Sequence, residues 1–185
     1  MIQSKRDFFD YLEADRVANH ISPNNNNWIA CRIGGRYNYL YLKYMRRVEY
    51  VMNCKNSIMS KIYLKLLNMR LKRLSVLTGI TIPPNTFGKG LYIPHWGSIV
   101  VNSTARFGDN CVVQSGVNIS EGVVGGNHIY IAAGAKLLMN VHIGNDIIVA
   151  ANAVVTKDFE KENIVIGGIP ASVISENGFR NRSKV

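Results

Sequence analysis

The fold is decided by residues 107–155, which read FGDNCVVQSGVNISEGVVGGNHIYIAAGAKLLMNVHIGNDIIVAANAVV. Large apolar residues recur at every sixth position of this stretch, and a small or branched residue follows each of them four positions later. The first series is Phe107, Val113, Ile119, Ile131, Leu137, Ile143, Val149 and Val155, with an interruption at Gly125. Neither a helix nor a strand has this period. The repeat predicts a β-helix, in which each hexapeptide forms one side of a triangular coil.

The repeat extends in both directions, so residues 79–175 are predicted to form one mainly β domain. A strand over residues 164–166 is expected to end it, and the segment 167–171 to turn the chain away, followed by a polar tail over residues 176–185. Counting back from Phe107 through Val101 gives Ile93, Phe87 and Thr81 as inward residues. This count requires two extra residues around Trp96–Val100, and an irregularity in a strict repeat is a place where a site can be built.

Residues 1–78 are predicted to form a basic α-helical region. Ser4 and Asp7 resemble a helix cap, the first helix is expected to end before Pro23, and residues 24–27 to form a loop. Residues 37–76 have the pattern of amphipathic helices with a basic face. The basic residues of that face are Lys43, Arg46, Arg47, Lys61, Lys65, Arg70, Lys72 and Arg73.

The net charge of +10 lies almost wholly in the N-terminal part, because residues 1–80 hold 14 Lys and Arg against 5 Asp and Glu. The basic face is either a solvated surface or a peripheral contact with an anionic membrane or glycan. No nucleic-acid partner is predicted, because no known binding module accompanies the charge. The three cysteines are too few for a disulfide framework, and no signal peptide or membrane-spanning run is recognisable, which predicts a cytoplasmic protein.

His95 is the main catalytic candidate, because it lies outward beside the irregular corner and a neutral imidazole suits a general base. The alternative is a partly buried surface histidine. His142 is expected on an outer face, whereas His128 could reach a cleft. The three histidines could also bind zinc, but they are 33 and 14 residues apart, and no metal site is predicted.

Four segments resemble the hexapeptide-repeat acyltransferases, above all the serine acetyltransferases and the related O-acetyltransferases of surface polysaccharide synthesis. The segments are Ile93–Asn102 (IPHWGSIVVN), Ile131–Lys136 (IAAGAK), Val149–Asp158 (VAANAVVTKD) and Gly168–Ala171 (GIPA). The resemblance covers about residues 79–175. It implies a left-handed parallel β-helix, a homotrimer with sites between protomers, and acetyl-CoA as the donor with no metal.

The resemblance also implies roles for individual residues. His95 matches the catalytic base, and Ala133, Gly134 and Ala151 match the positions beside the pantetheine arm. Lys157 matches a lysine near the CoA phosphates, and Pro170 a turn beside the adenine. The residues expected near the acceptor are Trp96, Asn102, Glu121 and His128.

Three departures from the serine acetyltransferases bear on the acceptor. Ile80 stands where an Asp orients the catalytic histidine, the loop between Ile119 and Ile131 is short, and the N-terminal region is shorter and more basic. These departures favour an O-acetyltransferase that modifies a sugar or surface-polysaccharide precursor. The alternatives are serine O-acetylation for cysteine biosynthesis and a non-catalytic β-helix scaffold, since a fold does not imply a function.

Overall fold

A computed structural model describes residues 1–182, and the side chains of residues 1–180. The N-terminal region consists of helices α1 (Lys5–Ala18), α2 (Trp28–Ile33), α3 (Tyr37–Cys54) and α4 (Ile58–Thr78), with a 3₁₀ turn at Pro23–Asn25. Ser4 caps α1 as predicted, because its hydroxyl accepts a hydrogen bond from the Asp7 N–H at 3.0 Å. Helix α2 was not predicted from the sequence.

The repeat domain contains the short strands of a parallel β-helix followed by a hairpin. The strands are β1 (Ile80–Thr81), β2 (Ile99–Val101), β3 (Arg106–Phe107), β4 (Val112–Val113), β5 (Asn118–Ile119), β6 (Val124–Gly125), β7 (Tyr130–Ile131), β8 (Lys136–Leu137), β9 (His142–Ile143), β10 (Ile148–Val149), β11 (Val154–Val155), β12 (Val165–Gly168) and β13 (Ala171–Ser175). A short helix, α5 (Phe179–Arg182), follows.

The strands form three sheets, which are the three faces of the coil. Face A has the order β1-β2-β5-β8-β11, face B has β3-β6-β9, and face C has β4-β7-β10-β12-β13. Pairing within β1–β12 is parallel. We call the turns from A to B corner I, those from B to C corner II, and those from C to A corner III. The predicted fold class, a β-helix with an N-terminal helical region, is therefore confirmed.

The inward residues of the repeat form a continuous core. Val113, Ile131, Leu137 and Val149 are fully buried, and the other members of the six-residue series are also buried. The interruption at Gly125 is filled by a neighbour, because β6 pairs with β3 and places Phe107 next to it. Burial is thus shared between successive coils, as expected for a solenoid.

The first and last coils differ from their predictions. Ile80 is buried and Thr81 exposed, so the inward residue of β1 was predicted one position too late. The chain does not turn away after residues 167–171, because β13 returns antiparallel along β12. The tail is also docked at its start, where the Gly178 N–H donates to the Asn163 carbonyl at 2.8 Å.

The helices are joined to the first coil by a buried ion cluster. The Arg46 guanidinium contacts Asp15 of α1 at 2.8 Å and Glu49 of its own helix at 3.0 Å, and all three side chains are at most 1% exposed. Arg46 also donates to the carbonyls of Phe87 and Gly88. Arg46 therefore does not belong to the basic face, which is a correction of the sequence prediction.

Lys43 is also buried, and its ammonium group donates to the Asn26 backbone carbonyl. The basic residues of α4 remain exposed: Lys61, Lys65, Arg70, Lys72 and Arg73. No helix among residues 1–182 is long and apolar enough to cross a membrane.

Candidate active site

His95 lies on corner III, where the coil is longer than elsewhere. Tyr92 pairs with Val112 and Val100 pairs with Asn118, so the spacing is 20 residues at the first pair and 18 at the second. The two extra residues lie between Tyr92 and Val100, in agreement with the sequence pattern. The side chain of His95 is exposed there.

Side chains of the N-terminal helices hold the segment that leads into His95. The Asp15 carboxylate accepts a hydrogen bond from the Leu91 N–H at 2.9 Å, and the Asn38 amide donates to the Ile93 carbonyl. The backbone on the N-terminal side of His95 is therefore fixed by residues more than 50 positions away in the chain.

His95 borders a cleft of about 530 Å³ between the helical region and the first coil. The lining consists mainly of aromatic and hydrogen-bonding side chains, and it includes one arginine. The lining residues are Asn19, His20, Ile21, Gly35, Arg36, Asn38, Tyr39, Tyr92, Pro94, His95 and Trp96. A hydroxyl compound in this cleft would lie beside the imidazole, which is the geometry that general-base catalysis requires.

Three of the predicted CoA-binding residues lie on the same corner as His95. Ala133 and Gly134 are in the turn between β7 and β8, and Ala151 is in the turn one coil further on. The Asn152 N–H donates to the Ala133 carbonyl at 2.9 Å, which connects these two turns. Successive coils are about 4.8 Å apart, so corner III offers a line of small residues that leads toward His95. The side chains of Ala133 and Ala151 are exposed, and this fits the close approach of a narrow chain such as pantetheine.

The other two predicted CoA-binding residues occupy different places. Pro170 lies in the turn between β12 and β13, beyond corner III of the last full coil. Lys157 follows β11 on corner I, with its ammonium group 5.6 Å from the centre of the Phe159 ring. Within one chain, face A separates Lys157 from the line of small residues.

The structure places Trp96 beside His95 but does not bring the remaining acceptor candidates to the cleft. Asn102 and Glu121 lie on corner I and border a different, shallow pocket. The Asn102 side chain accepts hydrogen bonds from the N–H and hydroxyl of Thr104, so it stabilises its own turn. Within one chain, Asn102 and Glu121 are therefore separated from His95 by a side of the coil, and their assignment to an acceptor site between protomers stays a prediction.

His128 is also outside the cleft. It lies on corner II, where its ring is 3.4 Å from the Asp146 carboxylate and 3.3 Å from the Asn110 amide. Asn110, His128 and Asp146 all have positive φ angles of 54–59° and occupy equivalent positions of successive coils. Within one chain, His128 is therefore a member of a polar row along corner II, and its assignment to the acceptor stays a prediction.

The position aligned with the orienting Asp is Ile80, whose apolar side chain cannot form a hydrogen bond with the His95 ring. Ile80 is fully buried and pairs with Ile99 in face A. Among the described groups, which are the backbone of residues 1–182 and the side chains of residues 1–180, none donates a hydrogen bond to the imidazole of His95 or accepts one from it. The nearby groups that sequence analysis missed are His20, Arg36 and Asn38, which come from parts of the N-terminal region with no distinguishing motif.

Two other reactive side chains, Cys111 and His142, do not line the cleft beside His95. Burial raises the pKa of the Cys111 thiol to about 12, so it stays protonated within the core. His142 is exposed on face B, as predicted, and its backbone N–H donates to the Asp158 carboxylate. Within the described part of the chain, no group of three or more His, Cys, Asp or Glu side chains could hold a metal ion.

Comparison with known proteins gives no matching family model. The chain is 35% identical over 114 residues to a serine acetyltransferase of Synechococcus elongatus, a match that covers 57% of this chain and 46% of that protein. It is 34% identical over 114 residues to a serine acetyltransferase of Staphylococcus aureus, covering 56% of this chain and 52% of that protein. The chain thus spans about half the length of the relatives that it matches.

Solved structures of serine acetyltransferases share the fold. A serine acetyltransferase in complex with CoA superposes with a TM-score of 0.73 at 22% identity, over 93% of this chain and 72% of that one. The enzyme from Brucella abortus gives a TM-score of 0.71 at 21% identity, over 94% and 71% of the two chains. These similarities confirm the resemblance to serine acetyltransferase-like hexapeptide-repeat acyltransferases and the left-handed β-helix.

Proposed function

We propose that this chain, which is similar to serine acetyltransferases in sequence and fold, is an O-acetyltransferase that uses acetyl-CoA as the donor. The observation that carries this proposal is the position of His95, which borders the cleft and shares corner III with Ala133 and Ala151. One relative in the comparison was solved as a complex with CoA. The exposed small residues of corner III fit the same ligand.

In the proposed reaction, His95 accepts the proton of an acceptor hydroxyl held in the cleft. The hydroxyl oxygen forms a bond to the acetyl carbonyl carbon, and the carbon–sulfur bond of the thioester breaks. The proton passes from His95 to the departing thiolate, so the products are an acetyl ester and the free thiol of CoA. Positioning both reactants beside one base accounts for the rate without an acyl-enzyme.

Two acceptors are candidates. The named relatives are serine acetyltransferases, and they favour L-serine. A sugar hydroxyl is favoured by the departures at this site, where Ile80 is buried in the core and aromatic residues Tyr92 and Trp96 border the cleft. Aromatic faces commonly pack against apolar ligand surfaces.

Thiol release from acetyl-CoA tests the reaction class. The wild type, His95→Asn and the matched control His142→Asn are compared with L-serine, simple sugars, nucleotide sugars and capsular oligosaccharides. We expect an acceptor-dependent signal that His95→Asn abolishes and His142→Asn preserves. Equal signals from all three proteins would remove His95 from the mechanism. Absence of turnover together with absence of saturable acetyl-CoA binding would leave a scaffold as the better account.

We also propose a homotrimer with sites between protomers. Large apolar side chains are exposed on the outside of the coil, including Val124, Met139 and Ile174 at 39%, 61% and 60%. Contact between coils of neighbouring copies would cover such residues and could bring Lys157 of one copy toward corner III of the next. Analytical ultracentrifugation distinguishes this arrangement from a monomer.

Finally, we propose that α4 binds the surface of an anionic membrane from the cytoplasmic side. Its exposed apolar residues include Ile58 at 78% and Val76 at 86%, and the helix contains no Asp or Glu between Ile58 and Thr78. The five exposed basic residues of α4 lie beside this apolar surface, a combination typical of interfacial helices.

Vesicle co-sedimentation tests the membrane contact. We expect binding to phosphatidylserine-containing vesicles but not to neutral ones, and loss of binding when Lys61, Lys65, Arg70, Lys72 and Arg73 are changed to Glu. In a control variant with the same change in net charge, five exposed basic residues elsewhere are changed to Glu: Lys5, Arg6, Arg32, Lys89 and Lys136. Equal loss in both variants would show that α4 has no special role.

A further inference from the structure

The cleft beside His95 contains a basic side chain without a partner. Arg36 borders the cleft and is half-buried, yet no carboxylate of residues 1–182 pairs with its guanidinium. Other arginines near the first coil differ, since Arg16 contacts Glu13 at 2.6 Å and Arg46 is paired with Asp15. A guanidinium at the edge of a cleft with no internal counter-ion is suited to binding an anionic ligand.

The cleft lining has no negative charge within the described chain. None of its residues is Asp or Glu, and Asp15 lies beneath it with its carboxylate already bonded to Arg46 and to the Leu91 N–H. A ligand ammonium group would therefore lose its hydration without gaining a carboxylate partner, which is unfavourable. A ligand carboxylate or phosphate would instead gain the Arg36 guanidinium as its partner.

The remaining lining supplies polar contacts and an aromatic surface. His20 packs edge-on against Tyr92 with ring centres 5.5 Å apart, and both side chains border the cleft. The indole of Trp96 is 56% exposed, and the Tyr37 ring is in edge contact with it at a centroid distance of 6.4 Å. Its free surface is available for the apolar side of a polyhydroxylated ring.

We propose that this cleft selects a hydroxyl acceptor that carries an anionic group, a carboxylate or a phosphate, and no cationic group, with Arg36 as the counter-ion. The acceptor class is then an acidic or phosphorylated carbohydrate, and L-serine is disfavoured because of its ammonium group. The proposal rests on the acetyl transfer proposed above, whose base is His95. It adds a specificity-determining residue that lies outside the repeat domain.

A matched set of acceptors isolates the two charges. Glycerate differs from L-serine by a hydroxyl in place of the ammonium group, and glycerol lacks both charges. Glucuronate and glucose 6-phosphate are compared with glucose, and they distinguish a carboxylate from a phosphate. We expect kcat/KM to be at least about 10-fold higher for each preferred anionic acceptor than for its neutral partner, since a charged hydrogen bond contributes that much.

Arg36→Gln tests the residue, and Arg32→Gln on the exposed side of α2 is the control. Arg36→Gln should lower kcat/KM about 10- to 100-fold for anionic acceptors, mainly through KM, and change it less than about twofold for glycerol or glucose. Arg32→Gln should leave all values unchanged. Turnover of L-serine that equals or exceeds that of glycerate would overturn the proposal, and so would an equal loss for neutral and anionic acceptors.

Calorimetry separates this proposal from the proposed reaction. If no acceptor gives His95-dependent thiol release, the reaction is in error, but binding of glucuronate and glucose 6-phosphate can still be measured. Saturable binding of either compound that Arg36→Gln removes and Arg32→Gln preserves would support the anion site. Absence of binding to the wild type would overturn it.

Discussion

The ring of Phe107 occupies the space that a side chain at Gly125 would need. A Cβ atom built on Gly125 would lie 2.3 Å from two ring carbons of Phe107, and that ring is stacked on Phe87 at 4.8 Å. The large residue of one coil thus compensates for the absent side chain in the next. The interruption of the six-residue series is therefore a packed feature of the core.

This relationship predicts coupled mutational effects. Gly125→Val should lower the free energy of unfolding by about 1–3 kcal/mol through overpacking, and Phe107→Ala by about 3–5 kcal/mol through a cavity. The double variant should be more stable than the sum of the two losses predicts, because the valine fills part of the cavity. Urea unfolding of the four proteins measures the coupling, and strict additivity would contradict the packing described here.

The Arg46 cluster predicts a large loss of stability from one substitution. Arg46→Ala would leave Asp15 and Glu49 buried without their counter-ion, and removal of one partner of a buried ion pair costs about 3–5 kcal/mol. Arg73→Ala on the exposed side of α4 should change stability by less than about 0.5 kcal/mol. Thermal unfolding compares the two variants, and similar melting temperatures would show that the cluster contributes little.

Tyr41 predicts an alkaline dependence of stability. Its hydroxyl accepts from the Ile82 N–H and donates to the Ile82 carbonyl, each at 3.0 Å, and burial raises its pKa to about 12. Because the folded pKa lies above the unfolded value of about 10, the neutral phenol stabilises the fold below pH 10 and loses this contribution as the pH rises through about 12.

Tyr41→Phe should therefore cost about 1–3 kcal/mol at neutral pH, since the Ile82 groups lose their partner. The difference in stability between wild type and variant should shrink as the pH is raised above about 10. Urea unfolding at several pH values measures this difference. The other tyrosines are the same in both proteins, so their titration cancels. A constant difference up to pH 12 would contradict the assignment.

Corner III predicts a selective effect on the donor. Ala151→Tyr places a large side chain at an exposed position of the line that leads toward His95, so it should raise KM for acetyl-CoA by about 10-fold or more and leave the fold intact. Ser103→Tyr, also exposed but on corner I, is the matched control. Steady-state kinetics with varied acetyl-CoA, together with circular dichroism, would contradict the prediction if both variants behaved alike.

The repeat domain was predictable because the environment of each inward residue depends on residues a fixed number of positions away. The pattern indicated the long corner at His95 for the same reason, since two extra residues disturb a regular count. It failed at β1, where a shift of one position exchanged buried Ile80 for exposed Thr81. No repeat constrained the register there.

The cleft could not be predicted from the sequence. It depends on contacts such as that of Asn38 with Ile93, which are 55 positions apart and belong to no motif. The same limitation applies to the positions of Asn102 and His128. These residues belong to coils near that of His95, but within one chain they lie on different corners.

Each end of the β-helix is in contact with a chain segment that does not belong to the parallel ladder. At one end Tyr41 and Arg46 bind the backbone of residues 82–88, and at the other β13 runs against the direction of β12. A further coil from another molecule would need a free parallel strand at one of these ends to continue the ladder. On face C the outer edge of β12 is already paired with β13, so a parallel strand from another molecule cannot be added there, and this favours self-association through the sides of the coil.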